Sequence, residues 1–287
     1  MSLSDRVPSG ADTYKYVPEI WMNQVIEASK KNLVAVDAVN TEWLSGQVKG
    51  DTFYLPKTNV VAATEVVVGT KHSTPEDPFA TAAVTVTMNQ WYEAPVDIDY
   101  MTKFQSQAAM DKYAVTESAY AINVAIDSYV CSLFSTLGGY SATAYGTDGQ
   151  TLSDDILIYL KETLDEVDVP FSKRTLMVDP SGLADMLKID KLVSADYISK
   201  SGNIENGIIG NSVYGCVVRV TNNLTTKSTG SYGCMLHMNA IAAKVQMHNA
   251  WRKEYEDLHE TRYQAEALYG ASVAQAYFGV PFYTRKT

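Results

Sequence analysis

Leu176-Met-Val-Asp-Pro-Ser-Gly-Leu-Ala-Asp-Met-Leu187, then Gly202-Asn-Ile-Glu-Asn-Gly-Ile-Ile-Gly210, then Val213-Tyr-Gly-Cys-Val-Val-Arg-Val-Thr-Asn-Asn223, is the stretch whose reading decides the fold class. Leu176 to Val178 is a short apolar run of the kind that makes a buried strand. Asp179-Pro180 ends it and opens a helix to about Leu187: the aspartate can accept from a first-turn N–H, and proline suits the first helical position, where an N–H would have no partner anyway. Glycines at 202, 207 and 210 punctuate a turn. Val213 to Val220 is a second apolar strand. Strand, helix, turn and strand in this order make an αβ unit.

Working outward, Ser153 caps a helix through Val167, with Asp154 and Asp155 in its first turn, Leu152 and Leu157 as a staple, and Ile156, Leu160 and Leu164 facing inward. Asp97 to Leu137 is the longest helical reading, started by Pro95, Asp97 and Asp99 and stopped by Gly138-Gly139. Val115, Ala119, Ile122, Ile126, Tyr129 and Leu133 recur along it at spacings of three and four, one continuous apolar stripe. At that length it would run roughly 50–60 Å, a strut rather than a core helix of a small domain.

Asp51 to Pro56 reads as a short strand, and Ala82 to Trp91 as another, in which Val84, Val86 and Met88 alternate with Thr85, Thr87 and Asn89. Gly69 to Pro78 between them is turn-forming. The long hairpin that results has few large apolar residues and would be marginal alone, so it needs a partner. Residues 1 to 17 read as a polar arm, and Val17-Pro18 opens a helix through Leu44 with Met22, Val25, Ile26, Leu33, Val36 and Trp43 on its apolar side. Beyond 223, Cys234 to Met247 reads as a strand with a short turn, and Glu254 to Tyr283 as strands around Gly270.

Composition narrows the function classes. The 287 residues suffice for one large domain or two modest ones, and no apolar run approaches the ~20 residues that span a bilayer. Met-Ser-Leu-Ser-Asp-Arg-Val-Pro lacks the apolar segment of a signal peptide. A net charge of −10 argues against a grip on nucleic acid, which needs clustered Lys and Arg. Cys131, Cys216 and Cys234 are odd in number and fit no zinc spacing, so buried free thiols are expected. The 19 tyrosines suit both sheet packing and protein interfaces.

No catalytic pattern survives comparison with its structural explanation. Gly202 to Gly210 lacks the Lys-Ser/Thr of a phosphate loop and the spacing of a dinucleotide fingerprint. His259-Glu260 has no second histidine four residues on, and His237, His248 and His259, though eleven apart, do not lie in one helical segment. Cys131 falls mid-helix, and no Gly-x-Ser-x-Gly elbow is present. The stripe from Val115 to Leu133 has few flanking charges, which favours packing on a sheet over a coiled-coil seam.

Gly50-Asp-Thr-x-x-x-Pro56, Asp97-Ile-Asp99, Val178-Asp-Pro180, Gly207-Ile-Ile-Gly210, Ala240-Ile-Ala-Ala-Lys-Val245 and Leu268-Tyr-Gly-Ala-Ser-Val273 follow one another along the chain. In order and spacing this series resembles the major capsid (coat) proteins of tailed bacteriophages, whose capsid fold is shared with encapsulins, over nearly the whole length. The resemblance implies an α+β phage major capsid fold: an N-terminal arm and helix over 1–50, an extended hairpin loop over 51–95, a peripheral domain with a long spine helix from 96–139 and 239–287, and an axial αβ domain over 140–238. It implies a structural protein with no catalytic residue, cofactor, metal or membrane. Copies would form hexamers and pentamers of an icosahedral virion shell, assembled in the host bacterial cytoplasm, that encloses double-stranded DNA without binding it specifically. Scaffold, portal and decoration proteins are the further partners it admits. Val60, Val66, Val68, Lys71, Pro78, Val84 and Val86 of the hairpin would meet a neighbouring subunit, and Val115, Ile122, Ile126 and Leu133 would be the buried stripe of the spine helix. An encapsulin-like shell, a tyrosine-rich binding module and an uncharacterised hydrolase remain the alternatives at this point.

Overall fold

The computed structural model describes residues 30–31, 33–45, 50–58, 65, 68–69, 81–105, 110–138, 144–193, 204–205, 208–209 and 212–286. In chain order the elements are β1 (Thr52–Thr58), β2 (Thr81–Thr87), β3 (Gln90–Asp99), α1 (Tyr100–Gln105), α2 (Met110–Ser132), α3 (Asp154–Glu166), β4 (Arg174–Val178), α4 (Pro180–Met186), α5 (Asp190–Val193), the short strands β5 (Ile204–Glu205), β6 (Ile208–Ile209) and β7 (Ser212–Val213), then β8 (Cys216–Val220), β9 (Gly230–His237), β10 (Ile241–Tyr255), β11 (Glu260–Val273) and β12 (Gly279–Arg285).

The αβ unit forms around β4, every residue of which is buried. It is the middle strand of a five-stranded sheet ordered β12-β9-β4-β8-β7, parallel to β8 and antiparallel to β9. Asp179 caps α4 by accepting from the Gly182 N–H at 2.8 Å, and its other carboxylate oxygen takes a 2.9 Å bond from Ser231. Leu157, Leu160 and Leu164 of α3 pack with Leu176, Met186 and Phe282 in one apolar core. Ser153 stands at the N-cap of α3, although its hydroxyl makes no capping bond. The strand expected unbroken over Val213 to Val220 is two strands, because Tyr214 (φ +50°) and Gly215 (φ +83°) make a left-handed turn between β7 and β8.

One ion cluster pins the edges of this unit. The buried Asp185 carboxylate accepts from Arg285 Nε at 2.8 and 3.0 Å, Lys188 Nζ at 3.1 Å and the Leu152 N–H at 3.3 Å. Burial pushes its pKa up, but these donors, led by Arg285 and Lys188, hold it below the ordinary carboxylate value. The strand β12, the helix α4 and the entry to α3 therefore meet at one charge.

The second unit is the antiparallel sheet β10-β11-β3, with α2 laid across one face. Ala265 and Ala267 leave room for the helix, so Ile122 and Ile126 reach the strand beside the buried Tyr269. The Tyr269 ring sits 5.9 Å from that of Tyr92 and 5.6 Å from that of Tyr129. Residues 97–99, expected as the start of a long helix, belong to β3: Val96 and Ile98 alternate with Asp97 and Asp99, a period of two, and Asp97 pairs bidentately with Arg262 across the strands at 2.7 and 2.8 Å. Among the described residues of that stretch the longest helix is α2, 23 residues and about 35 Å.

Two further boundaries are corrected. Strand β12 pairs with β9, so the last strand of the chain completes the αβ sheet instead of the sheet of β10 and β11. Gln90 to Pro95 lie in β3, paired with β11, so the hairpin proper is β1 with β2. The helix expected through Leu44 is replaced over its described part by two single turns, Val36–Ala38 and Glu42–Leu44, with Asn40 bridging Ala242 between them. The remainder of that helix and the arm before it lie outside the described residues. Between the units, the buried Asp127 of α2 accepts from the Ala35 N–H at 2.7 Å and from Asn223 Nδ2 at 2.8 Å, which ties three distant stretches of sequence to one side chain.

Because the folded pKa of Asp185 lies below its unfolded value, the stability it contributes is complete above the unfolded value near pH 4 and drains away as pH falls through the folded one. Asp185→Asn is expected to cost about 2 kcal/mol at pH 7. The gap to the parent should narrow steadily between pH 5 and pH 2 in chemical denaturation. A gap that stays constant across that range would show that the Asp185 charge does not stabilise the fold.

Candidate assembly surface

The hairpin root is built on its own chain. Thr52 pairs with Thr87 and Thr58 with Thr81, so Phe53, Leu55, Val84 and Val86 share one face of the ribbon. At the root this face closes over Leu44, Met88, Ala242 and Ala274. Gly270 of β11 makes the approach possible: a Cβ there would stand 2.3 Å from the Thr87 carbonyl oxygen and 2.9 Å from the Met88 methyl. Further out the ribbon leaves the body, and Tyr54, Pro56, Lys57, Ala82 and Ala83 are exposed. A groove of about 670 Å³ lies where it departs, walled by Leu55, Lys57 and Val84 on the ribbon and by Trp43, Val167 and Phe278 on the body.

The residues singled out in the sequence fall into three groups. Val68 is almost fully exposed and Val84 half-buried, while Val60, Val66, Lys71 and Pro78 lie outside the described residues. Val86 is fully buried in its own chain, because it faces Phe53 at the root, and so offers nothing to a neighbour; that expectation is corrected. On α2, Ile122 and Ile126 are buried against β11 and Leu133 is half-buried against the cluster that joins the two units. Val115 is 45 % exposed, since Ala114 and Ser118 turn towards the sheet at that level and leave it at the helix flank; its place in the buried stripe is corrected too.

Surface features that the sequence reading passed over are as large. The face of the sheet opposite α2 carries Trp91, 69 % exposed, and a cross-strand ladder in which Glu93 meets Gln264 at 2.7 Å and Asp97 meets Arg262. The Arg262 hydrogen bond holds the Asp97 carboxyl below its usual range. At the far end of the same sheet, α1 exposes Met101 (66 %) and Phe104 (90 %), and the turn between β10 and β11 exposes Leu258 (62 %). The Tyr100 N–H donates to the His259 carbonyl at 2.9 Å and fixes α1 to that turn. Reading 97–137 as one helix hid Met101 and Phe104; the alternation from Val96 to Asp99 was the signal that would have exposed them.

The groups that chemistry would need are elsewhere engaged. Cys131, Cys216 and Cys234 are buried and unpaired, and burial pushes all three thiols up, Cys216 to about 11. His237 accepts from the Asn239 N–H, and burial, with Arg174 and Lys173 nearby, keeps its pKa low. Among the described residues no three His, Cys, Asp or Glu side chains gather as metal ligands, and no helix is long and apolar enough to cross a membrane.

The sequence matches no protein-family model, and no curated protein matches it. The fold has clear counterparts among solved structures. A chain from Mycobacterium phage Che8 superposes with a TM-score of 0.78 at 20 % identity, covering 93 % of this chain and 97 % of that one. A chain from the capsid structure of the cyanophage P-SCSP1u gives 0.75 at 13 %, covering 97 % and 96 %. A chain from the mature capsid of bacteriophage PhiM1 gives 0.69 at 12 %, covering 94 % and 93 %. This chain therefore has the phage major capsid protein fold over nearly its whole length.

Gly270→Ala forces the hairpin root off β11 by a few tenths of an ångström or more, against a backbone oxygen that cannot give way easily. The expected cost is about 1–3 kcal/mol of overpacking, visible as a lowered Tm with faster amide exchange confined to β1, β2 and β11. Unchanged exchange in β1 and β2 would show that the root does not depend on this contact.

Proposed function

We propose that this protein is the major capsid protein of a tailed bacteriophage, a structural component of the virion with no enzymatic role. The observation that supports the reading is the likeness of 93 to 97 % of the chain to chains of solved phage structures, two of them capsids. On this reading α2 is the spine helix of a peripheral domain, the sheet around β4 is the axial domain, and copies associate as hexamers and pentamers that close an icosahedral shell in the host bacterial cytoplasm. The acidic chain, with its net charge of −10, suits a wall that encloses double-stranded DNA and does not hold it. Scaffold, portal and decoration proteins belong to the same reading as further partners.

The hairpin is the arm that reaches a neighbour. Its root is buried at home, whereas Pro56, Lys57, Ala82 and Ala83, the described residues just beyond Leu55 and Val84, are exposed. Val60, Val66, Val68, Lys71, Pro78 and Val84 are then the contact residues, and Val86 is the anchor.

Sedimentation of the purified protein at micromolar concentration, with electron microscopy of the same sample, is expected to show closed shells or capsomers far larger than the 31.5 kDa chain. A monomer at every salt and pH tried would overturn the reading. Excising 59–80 is the sharper experiment. Thr58 and Thr81 face each other in register, so a two-residue turn can join them without moving the root. The shortened chain should keep the parent's circular dichroism and Tm within a few degrees and fail to form shells; shells of normal yield would show that the arm is not the intersubunit contact.

A further inference from the structure

Two hydroxyls of α2 are satisfied by the helix itself. Thr116 donates to the Lys112 carbonyl at 2.9 Å and Ser132 to that of Tyr129 at 2.6 Å, the usual back-bond of a helical hydroxyl. Ser118 makes no such bond. It is 2 % exposed, on the sheet-facing side of α2 with Ala114 and Ile122, and its Oγ has no hydrogen-bond partner among the described residues. A hydroxyl desolvated to that degree is costly unless something reaches it.

Ser118 lines a cleft of about 220 Å³ between the helix and the sheet. The cleft exists because α2 lies over β11, where Ile122 and Ile126 meet Ala265, Ala267 and Tyr269, while β10 is the edge strand beyond it. Ala250 and Arg252 of β10 form the outer floor, Tyr263 and Ala265 the inner floor, and Val115 the flank, so the walls are largely apolar. The charges at the rim are already matched. Arg252 pairs with Glu254 and stands over the Tyr263 ring, and Lys103, 3.4 Å from the Tyr263 hydroxyl, pairs with Asp111 at 3.0 Å. An ionic ligand would have to displace one of these pairs; a neutral one would not.

We propose that this cleft binds a small neutral phenol, one ring with a short apolar substituent, whose hydroxyl pairs with Ser118 Oγ. An apolar cavity of about 150 Å³ takes benzene, so the volume here takes that ring with a few further carbons. Val115, Ala250 and Ala265 face the apolar part, and the one polar group of the ligand goes to the one unpaired hydroxyl of the wall. A tyrosine side chain offers the same group. It would also bring its flanking amides onto a rim of paired charges, where their desolvation is not offset. The free small molecule is therefore the occupant, and the site belongs to the single chain whether or not copies assemble.

The test is a titration of the full chain with 4-ethylphenol, with ethylbenzene, which lacks only the hydroxyl, and with N-acetyltyrosinamide, followed by saturation-transfer NMR. The parent is expected to bind 4-ethylphenol about fivefold tighter than ethylbenzene, the worth of one hydrogen bond. Ser118→Ala removes a hydroxyl that has no partner and should keep the parent's Tm. It is expected to erase the preference and leave ethylbenzene binding unchanged. Val115→Trp, on a side chain exposed at the flank, should close the cleft and weaken both ligands about tenfold or more. No binding of 4-ethylphenol, equal affinity for it and ethylbenzene, a preference that survives Ser118→Ala, or binding untouched by Val115→Trp would each overturn the site. N-acetyltyrosinamide is expected to bind no better than ethylbenzene. Affinity equal to that of 4-ethylphenol would assign the cleft to a protein side chain and overturn the small-molecule reading. None of these outcomes turns on whether the chain forms shells.

Discussion

The close approach of two layers to β11 is the constraint on which the rest of the structure depends. That strand is paired on both edges, carries α2 on one face and holds the hairpin root on the other. Each layer comes near because the residue beneath it is small: Ala265 and Ala267 under the helix, Gly270 under Thr87. A sheet whose faces were filled by large side chains would hold both layers too far out to bury Ile122 or Val86. The direction in which the hairpin leaves the body is thus set by a missing side chain ten residues from the far turn, a property of the strand and not of the hairpin.

Polar groups join the two units where apolar packing alone would let them slide. Asp127 sits in the middle of α2 and takes hydrogen bonds from the entering chain at Ala35 and from Asn223 just past β8. Asp185 plays the corresponding part within the αβ unit, where Arg285 brings in the last strand. Non-directional burial cannot specify one orientation of two bodies, but a buried carboxylate with fixed donors can, because losing any donor leaves a desolvated charge. The cluster of Val130, Phe134, Met177, Leu236 and Ile241 then fills the seam those bonds define.

Much of this was legible in the residues, and the parts that were not failed for physical reasons. The αβ unit was readable from Val178-Asp-Pro180 because a buried strand, an aspartate cap and a first-turn proline are local signals, and the Asp179 bond to Gly182 is local as well. The apolar stripe on α2 was readable at Ile122 and Ile126 but not at Val115, because periodicity says which residues share a face and not how far along the helix the sheet extends. Asp97 and Asp99 carry either meaning, helix-start acids or the outward half of a strand, and the choice was made by Arg262, 165 residues away. The return of β12 to the αβ sheet had no local signal, since its partner β9 and its anchor Asp185 are both remote. The surface of the hairpin was the least legible part: alternation placed Val84 and Val86 on one face, and only the packing of the root separates the one that is half-covered from the one that is fully buried.

That separation explains how a poorly cored ribbon holds its place on the body. A two-stranded hairpin standing free would fray, and ordering it at the moment of contact would subtract its conformational entropy from the binding energy. Here Phe53 and Val86 fix the start of β1 and the end of β2 in the chain's own core, so the register of the ribbon is already set where it leaves the body. Each residue anchored in this way has already met about 1–2 kcal/mol of backbone ordering cost in the folding of its own chain.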